Sequence, residues 1–344
     1  MRRRRRAPTP RTHPVCAAAP ARTKPDPDPG RHMPAAPLST VMSLPSSPSP
    51  SFRGRIGCDA NSGYYAVPRR YRLHLSLSSP HSLRIAITHS LLGLEETLPV
   101  ELLPAVPDRP DGGHSALLPL YEAGSHRHSG PAVAPVLSDT WTGRIVNSHS
   151  AHILHDLARH FGDDNPDRPV LHPHGAEEEI EAVERLCRYH IDEAAQRAGQ
   201  ADVDEEARGS ALSSLLRVLG SLEARLVHQD FVLGDRMTAA DVRLWVALVQ
   251  LDTVHRLHLD AAAVHRVAGH PHLWAYARRL AAHPAFGRHL DLDGIARRHH
   301  ARCQGLEAAG AAVQILDWAA HITDATYGPT QRHSALHLGP SGPA

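Results

Sequence analysis

Two serines stand where a buried strand is expected to pass into a helix, in the sequence Ser78-Ser79-Pro80. The preceding segment YRLHLSL (71–77) alternates apolar and polar residues, which predicts a strand with one buried face. Serine followed by proline at the first helical position is typical of a helix start. Helix N-termini carry unpaired N–H groups and a partial positive charge, so they stabilise thiolates. The hydroxyl of Ser79 can serve as an ordinary N-cap of this helix, a position that serine fills well.

The histidine content is the other feature that could carry chemistry, since the 344 residues include 28 histidines. Three of the close pairs are His255-x-x-His258, His270-x-His272 and His299-His300. Residues three apart share a helix face. However, no cysteine or glutamate stands at a spacing from these histidines that indicates further metal ligands. We expect no metal site.

The cysteines are few and scattered: Cys16, Cys58, Cys187 and Cys303. None forms a CxxC pair or a zinc-finger spacing, so we expect reduced thiols in a cytoplasmic protein rather than a disulfide framework. The formal net charge of +1 offers no broad field for nucleic acid or an anionic membrane surface. No apolar run of spanning length is present, so no membrane partner is expected.

Composition and periodicity divide the chain into four parts. Residues 1–50 are rich in Pro, Arg and Ser and are interpreted as a disordered tail, or as a segment upstream of a true start at Met33 or Met42. Over 52–165 the pattern predicts strand 71–77, a helix from Pro80 ending near Gly93, strand 98–103, a long loop 104–131, strands 134–138 and 144–147, and helix 149–160. That order matches a thioredoxin-like domain.

The period becomes helical from about residue 175, which predicts an all-α domain over 175–325 and a flexible tail over 326–344. A leucine stripe between Leu212 and Leu226 marks one helix, and another is expected over 271–283. Thr238 and Asp241 form the pattern of a capping box, and Met237 with Val242 that of a hydrophobic staple. The fold class expected is therefore α+β, a thioredoxin-like domain followed by an all-α domain.

Five segments carry a resemblance to a known family. RYRLHLSLSSPHSLR resembles RYHLYVSLACPWAHR of the glutathionyl-hydroquinone reductases, a branch of the glutathione S-transferases. APVLSD resembles that family's VPVLWD, RIVNSHSA its IVNNESS, LVQLDTVHRLH its RFDxVYxxHF, and HPHLWAY its PNLWAY. The order and approximate spacing agree over about residues 52–321. The resemblance implies a two-domain transferase fold, a homodimer, and glutathione or another low-molecular-weight thiol as cosubstrate.

The resemblance assigns roles to named positions on the thiol side of the site. Ser79 stands where the family carries the cysteine that forms a mixed disulfide, which a hydroxyl cannot do. The other thiol-binding positions are Ser78, His81, Arg84, Ala134, Pro135, His149 and Ser150. Pro135 matches a cis proline. Where the family has a Glu-Ser pair at the γ-glutamyl end, this chain has His149-Ser150, and His149 would repel an ammonium when protonated.

The acceptor side departs from the family as well, because Gln196 and His255 match positions of its quinone-facing tyrosines. The sequence leaves two main hypotheses open. The first is an enzyme in which Ser79 stabilises the thiolate of a bound thiol that reacts with an electrophile; the second is a catalytically inactive binding or structural protein. Nucleic-acid binding through the arginine run Arg2–Arg6 is a weaker third.

Overall fold

The computed structural model describes residues 52–124, 128, 130–161, 168–303 and 307–321. The predicted tails, 1–50 and 326–344, lie outside these residues. So do the arginine run and Cys16.

A four-stranded sheet forms the first part of the described chain. Its strands are β1 Tyr71–Leu75, β2 Val100–Leu102, β3 Val136–Asp139 and β4 Arg144–Asn147. They lie in the order β2-β1-β3-β4, with β2 parallel to β1 and with β3 antiparallel to both β1 and β4. Helix α1, Pro80–Leu91, joins the parallel pair, and α3, Ser150–His160, follows β4. The predicted strand-helix-strand, strand-strand-helix order is therefore present.

The central strand β1 is buried at four of its five residues, and only Arg72 is exposed. Tyr71, Leu73 and Leu75 point into the core, as their alternation predicts. His74, expected on the exposed face, is also buried, and its Nε2 lies 2.9 Å from Ser138 Oγ. Because β1 has a neighbour on each side and helices pack over the sheet, His74 is covered, whereas Arg72 stays exposed.

The predicted loop 104–131 contains a helix, so that part of the prediction is wrong. Helix α2 spans Leu118–Gly124, after a single 3₁₀ turn at Ser115–Leu117. Leu117 and Tyr121 are buried four residues apart, and the Tyr121 hydroxyl donates to the Val133 carbonyl over 2.8 Å. A helix of seven residues with a proline in its first turn is too short to give a recognisable period.

The second part of the described chain is helical throughout. Its helices are α4 Glu177–Leu186, α5 Glu193–Gly199, α6 Glu205–Leu226, α7 Ala239–Thr253, α8 Ala261–Ala268, α9 Pro271–Ala281, α10 Pro284–Gly287 and α11 Leu292–Arg302. A π-helical segment, Cys187–Asp192, joins α4 to α5. Most of the leucine stripe on α6 is buried. None of the helices in the described ranges is both long and apolar enough to cross a membrane.

Helix α7 is the centre of this helical part, since twelve of its fifteen residues are buried. Its start has the capping box expected from Thr238 and Asp241. The fully buried Asp241 accepts hydrogen bonds on both oxygens. Oδ2 receives the Thr238 N–H over 2.8 Å, and Oδ1 receives the Val232 N–H over 2.8 Å and the Tyr276 hydroxyl over 2.9 Å. One carboxylate thus joins the loop before α7, the start of α7 and the middle of α9.

Replacing Asp241 with asparagine is expected to destabilise the fold by about 2–4 kcal/mol. Each carboxylate oxygen faces a backbone N–H, so the asparagine NH₂ must point at one of those donors. Urea unfolding monitored by circular dichroism measures the change. Asp260→Asn is the matched control, because Asp260 caps α8 through one bond to the Ala263 N–H, and asparagine caps equally well. Equal losses in the two variants would contradict this role for Asp241.

Candidate functional site

A cavity of about 790 Å³ lies between the first turns of α1 and α3 and the facing surfaces of α7 and α11. Seven of the ten residues predicted for the site line it: Ser78, His81, Arg84, His149, Ser150, Gln196 and His255. Ser79, Ala134 and Pro135 do not line it. A second cavity, of about 690 Å³, lies near Arg168, Phe231 and Pro284 and contains none of the predicted residues.

Ser79 is the N-cap residue of α1, with extended backbone angles and Pro80 at the first helical position. Its carbonyl accepts the Leu83 N–H over 2.9 Å, which begins the helix. Its hydroxyl, however, makes no capping hydrogen bond, and only 6% of the residue is exposed. The cap is therefore formed by the backbone, and the hydroxyl is not committed to it.

Ser78 is held more firmly than Ser79. Its hydroxyl donates to the Ala105 carbonyl over 2.6 Å and lies 3.1 Å from Ser76 Oγ. Arg298, on α11, reaches the same point: its Nη1 donates to Ser78 Oγ over 3.4 Å and to the Ala105 carbonyl over 3.3 Å. The Arg298 guanidinium thus adds positive charge next to the N-terminus of α1. Sequence reasoning missed Arg298, because no local motif ties it to a helix more than 200 residues earlier.

An ion-pair network forms the wall of the cavity opposite α3. Arg84 donates to both oxygens of Glu184, over 3.1 Å to Oε1 and 2.5 Å to Oε2. Arg243 donates to Glu184 Oε1 over 3.1 Å and to Asp192 over 2.6 Å. Burial raises the pKa of Glu184, but the two guanidinium groups outweigh burial and hold that pKa below its usual range. Of these four residues only Arg84 was predicted; the three others come from helices whose mutual packing the sequence does not encode locally.

His81 and Ser150 connect α1 to α3. Ser150 Oγ lies 3.2 Å from His81 Nδ1, within hydrogen-bonding distance. His149 is the N-cap of α3, with an exposed side chain whose ring centroid lies 4.4 Å from that of His152. The first-turn amides of α3 and the Ser150 hydroxyl therefore face the cavity beside α1, an arrangement suited to a carboxylate.

The Ala134–Pro135 peptide bond is cis, and Pro135 is buried at the start of β3. Ala134 packs against a small core cluster that includes Tyr121 and Val136. On the far side of the cavity, Gln196 is exposed on α5 and His255 is half-buried in the 3₁₀ turn His255–His258. Burial, the largest influence, lowers the pKa of His255. Burial thus favours the neutral imidazole of His255.

None of the cysteines in the described ranges lies at the start of α1. Cys187 is fully buried in the π-helical segment, and burial raises the pKa of its thiol to about 12. Cys58 is exposed before β1, with its Sγ 4.0 Å from His160 Nδ1. Cys303 follows α11, and its Sγ lies 3.7 Å from His258 Nε2. None of the three cysteines that the structure describes is therefore placed to supply a thiolate at the start of α1.

Comparisons with known proteins agree with this architecture. The family model of the glutathione S-transferase C-terminal domain matches residues 180–279. Glutathionyl-hydroquinone reductase PcpF of Sphingobium chlorophenolicum is 29% identical over 247 residues, which are 67% of this chain and 77% of that protein. Glutathionyl-hydroquinone reductase YqjG of Escherichia coli is 25% identical over 264 residues, 72% of this chain and 80% of that protein. Its glutathione-bound structure matches with a TM-score of 0.65 at 24% identity, covering 76% of this chain and 91% of that chain.

The chain thus has homologues among the glutathionyl-hydroquinone reductases. The predicted fold class, a thioredoxin-like part followed by an all-α part, is confirmed.

Replacing Glu184 with glutamine is expected to lower the melting temperature by about 3 °C at pH 7, since Arg84 and Arg243 lose the charge they share. Because the folded pKa of Glu184 is depressed, its contribution is present above the unfolded value of about 4.3 and is lost as the pH falls through the folded value. The difference from the unsubstituted chain should therefore shrink below about pH 4. Glu181→Gln, which removes an exposed pair with Arg185 on the same helix, is the control. A pH-independent difference would contradict the charge argument.

Proposed function

We propose that this chain binds glutathione, or another low-molecular-weight thiol, at the start of α1 and transfers it to an electrophilic, quinone-like small molecule. The nucleophile in this proposal is the sulfur of the bound thiol, not a protein sulfur. The proposal includes a homodimer, as the family resemblance implies, and a location in the cytoplasm, as the few scattered cysteines indicate. It rests above all on one observation, the Ser79 hydroxyl that stands at the N-terminus of α1 without capping it.

The charges around α1 support thiolate formation. The helix N-terminus carries a partial positive charge, and Arg298 adds a guanidinium that contacts Ser78. The Ser79 hydroxyl donates a hydrogen bond to the thiolate in this arrangement, and the three effects together lower the pKa of the bound thiol. Ser78, already donating to the Ala105 carbonyl, has the positioning role.

The start of α3 is the proposed anchor for the γ-glutamyl carboxylate. Ser150 and the first-turn amides of α3 lie next to His81, so the carboxylate would bind one helix away from the sulfur. Ala134, beside the cis Pro135, supplies backbone groups to the thiol peptide in this proposal. The glutathione-bound relative from E. coli supports glutathione as the first thiol to test.

Gln196 and His255 form the proposed acceptor side of the cavity. With a quinone, the thiolate carbon–sulfur bond forms as an electron pair moves onto a quinone oxygen. The proton lost by the thiol goes to that oxygen, and the ring proton at the attacked carbon then moves to the other oxygen. The product is therefore a glutathionyl-hydroquinone, and no other reactant is needed. Neutral His255 is the proposed hydrogen-bond donor to the oxygen on which charge develops.

A second candidate function, a non-catalytic binding protein, has an observation in its favour. Ser79 is not among the residues that line the cavity, whereas Ser78, Pro80 and His81 are. A ligand that fills the cavity without reaching the Ser79 hydroxyl would leave the chain as a carrier or a structural subunit. Catalysis and binding therefore have to be measured separately.

Ser79→Ala is expected to lower kcat/KM for conjugation of glutathione to benzoquinone or to a chlorinated nitroaromatic by at least about 10-fold. The pKa of bound glutathione, followed by thiolate absorbance against pH, should rise in the same variant. Ser90→Ala is the control, because Ser90 lies at the opposite end of α1 and bonds Glu95. Binding of glutathione at millimolar concentration without turnover would favour the second candidate; no binding at that concentration would overturn the proposal.

Ser79→Cys tests how much of a reductase site remains. A thiol at this position is expected to react with a glutathionyl-hydroquinone, forming a protein–glutathione mixed disulfide that mass spectrometry detects and a second glutathione releases. Appearance of this activity would indicate that only the sulfur is missing. A variant that binds glutathione but forms no mixed disulfide would mean that the positions around Ser79 no longer orient the substrate.

A further inference from the structure

Three metal-ligating side chains meet at the cavity, and one of them, His258, lies 41 residues before the nearer of the other two in sequence. His258 ends the 3₁₀ turn after α7, His299 lies in the last turn of α11, and Cys303 follows that helix. Their ligand atoms all lie within 4.8 Å of one another. His299 and Cys303 are four residues apart at a helix end, which brings both toward His258.

The distances fit a tetrahedral ion. His258 Nε2 lies 3.2 Å from His299 Nε2 and 3.7 Å from Cys303 Sγ. For Zn–N bonds of about 2.0–2.1 Å and a Zn–S bond of about 2.3 Å, tetrahedral geometry separates two nitrogens by about 3.3 Å and nitrogen from sulfur by about 3.6 Å. Both separations from His258 are therefore close to those that one Zn²⁺ requires, and the third pair, His299 and Cys303, has its ligand atoms within 4.8 Å.

We propose that His258, His299 and Cys303 bind one Zn²⁺ ion, with an open fourth position directed into the cavity. Two histidine nitrogens and one thiolate are ligands typical of zinc, and three protein ligands with one open position are typical of reactive zinc sites. His258 and His299 both line the cavity, whereas Cys303 does not. Water or an anionic ligand entering from the cavity would complete the coordination.

The backbone around His258 supports a preformed site. Gly199, at the end of α5, lies so close that a Cβ atom there would stand 2.7 Å from His258 Cβ and 3.3 Å from its carbonyl oxygen. The 3₁₀ turn thus packs directly against the backbone of α5. This contact fixes the position of the His258 Cβ atom, from which the imidazole extends. A thiolate at Cys303 would cancel one of the two charges of the ion, and Glu307 acts electrostatically on His299. These negative charges offset the positive charges of Arg298 and Arg302, which line the same cavity.

The same distances also fit a site without an ion. One neutral imidazole can donate an N–H to the other, and the Cys303 thiol can donate to His258. A hydrogen-bonded trio of this kind would hold the end of α11 against the turn after α7. A bound ion would make the Cys303 thiolate a metal ligand, which changes its absorption and its reactivity, whereas a hydrogen-bonded thiol would have no bond to a metal. These two properties of Cys303 therefore distinguish the alternatives.

The test uses the full chain, stripped of metal with a chelator and titrated with Co²⁺ and then with Zn²⁺. We expect one equivalent of Co²⁺ to give the visible bands of tetrahedral cobalt together with a near-ultraviolet thiolate-to-cobalt charge-transfer band, and Zn²⁺ to displace it. Zn²⁺ should also protect Cys303 from alkylation, as measured by peptide mass spectrometry on the unsubstituted chain. The sulfur band separates this site from adventitious binding at the many other histidines.

Cys303→Ser should remove the charge-transfer band, and His258→Ala should weaken Zn²⁺ binding on the order of 100-fold or more. Cys58→Ser is the matched control, because Cys58 is a cysteine near a histidine, His160, outside the cavity. Unchanged Cys303 alkylation with Zn²⁺ present, or a charge-transfer band that Cys58→Ser abolishes, would overturn the proposal. None of these readouts depends on thiol transfer, so their failure and that of the proposed function can be told apart.

Discussion

A single buried carboxylate, that of Asp241, organises the helical part of this protein. It accepts hydrogen bonds from the loop before α7, from the helix cap and from Tyr276 on α9, so three segments are fixed relative to one another at one point. Helix α7 then carries Arg243, Val246, Ala247 and Gln250 into the cavity wall. An isolated buried charge would be costly, but these donors compensate the loss of water. The position of the candidate site therefore depends on a cap that lies outside it.

Positive charge is the dominant property of the cavity. Arg84 and Arg243 share Glu184, Arg243 also bonds Asp192, and Arg298 bonds only neutral oxygens among the residues described. The N-terminus of α1 adds its partial charge at the same end. Such a surface attracts anionic small molecules, whether a thiolate, a carboxylate or a phenolate. The ion pairs also hold α1 to α4 and α7 without any contribution from Ser79.

The sequence predicted the parts of the molecule that depend on local chemistry. The alternation of β1, the Ser-Pro start of α1, the leucine stripe of α6 and the capping box of α7 are properties of neighbouring residues, and each was recognisable. Two other features were not recognisable. Helix α2 has too few residues to show a period, and His74 is covered by strands whose positions beside β1 a single sequence does not reveal. Arg298, Glu184, Asp192 and the meeting of His258 with His299 and Cys303 depend on how helices pack. Packing over long sequence separations leaves no local signal in a single sequence.

The π-helical segment Cys187–Asp192 has a consequence for the geometry of the cavity wall. In a regular α-helix, Glu184 and Asp192, eight residues apart, would differ in direction by about 80°. The wider i→i+5 turn reduces this difference, and both carboxylates consequently reach the same guanidinium of Arg243. Which charged side chains face the same part of the cavity wall thus depends on one extra residue in a backbone turn. Evolution can change which charges face a ligand by lengthening or shortening that turn, while every side chain around the cavity keeps its identity.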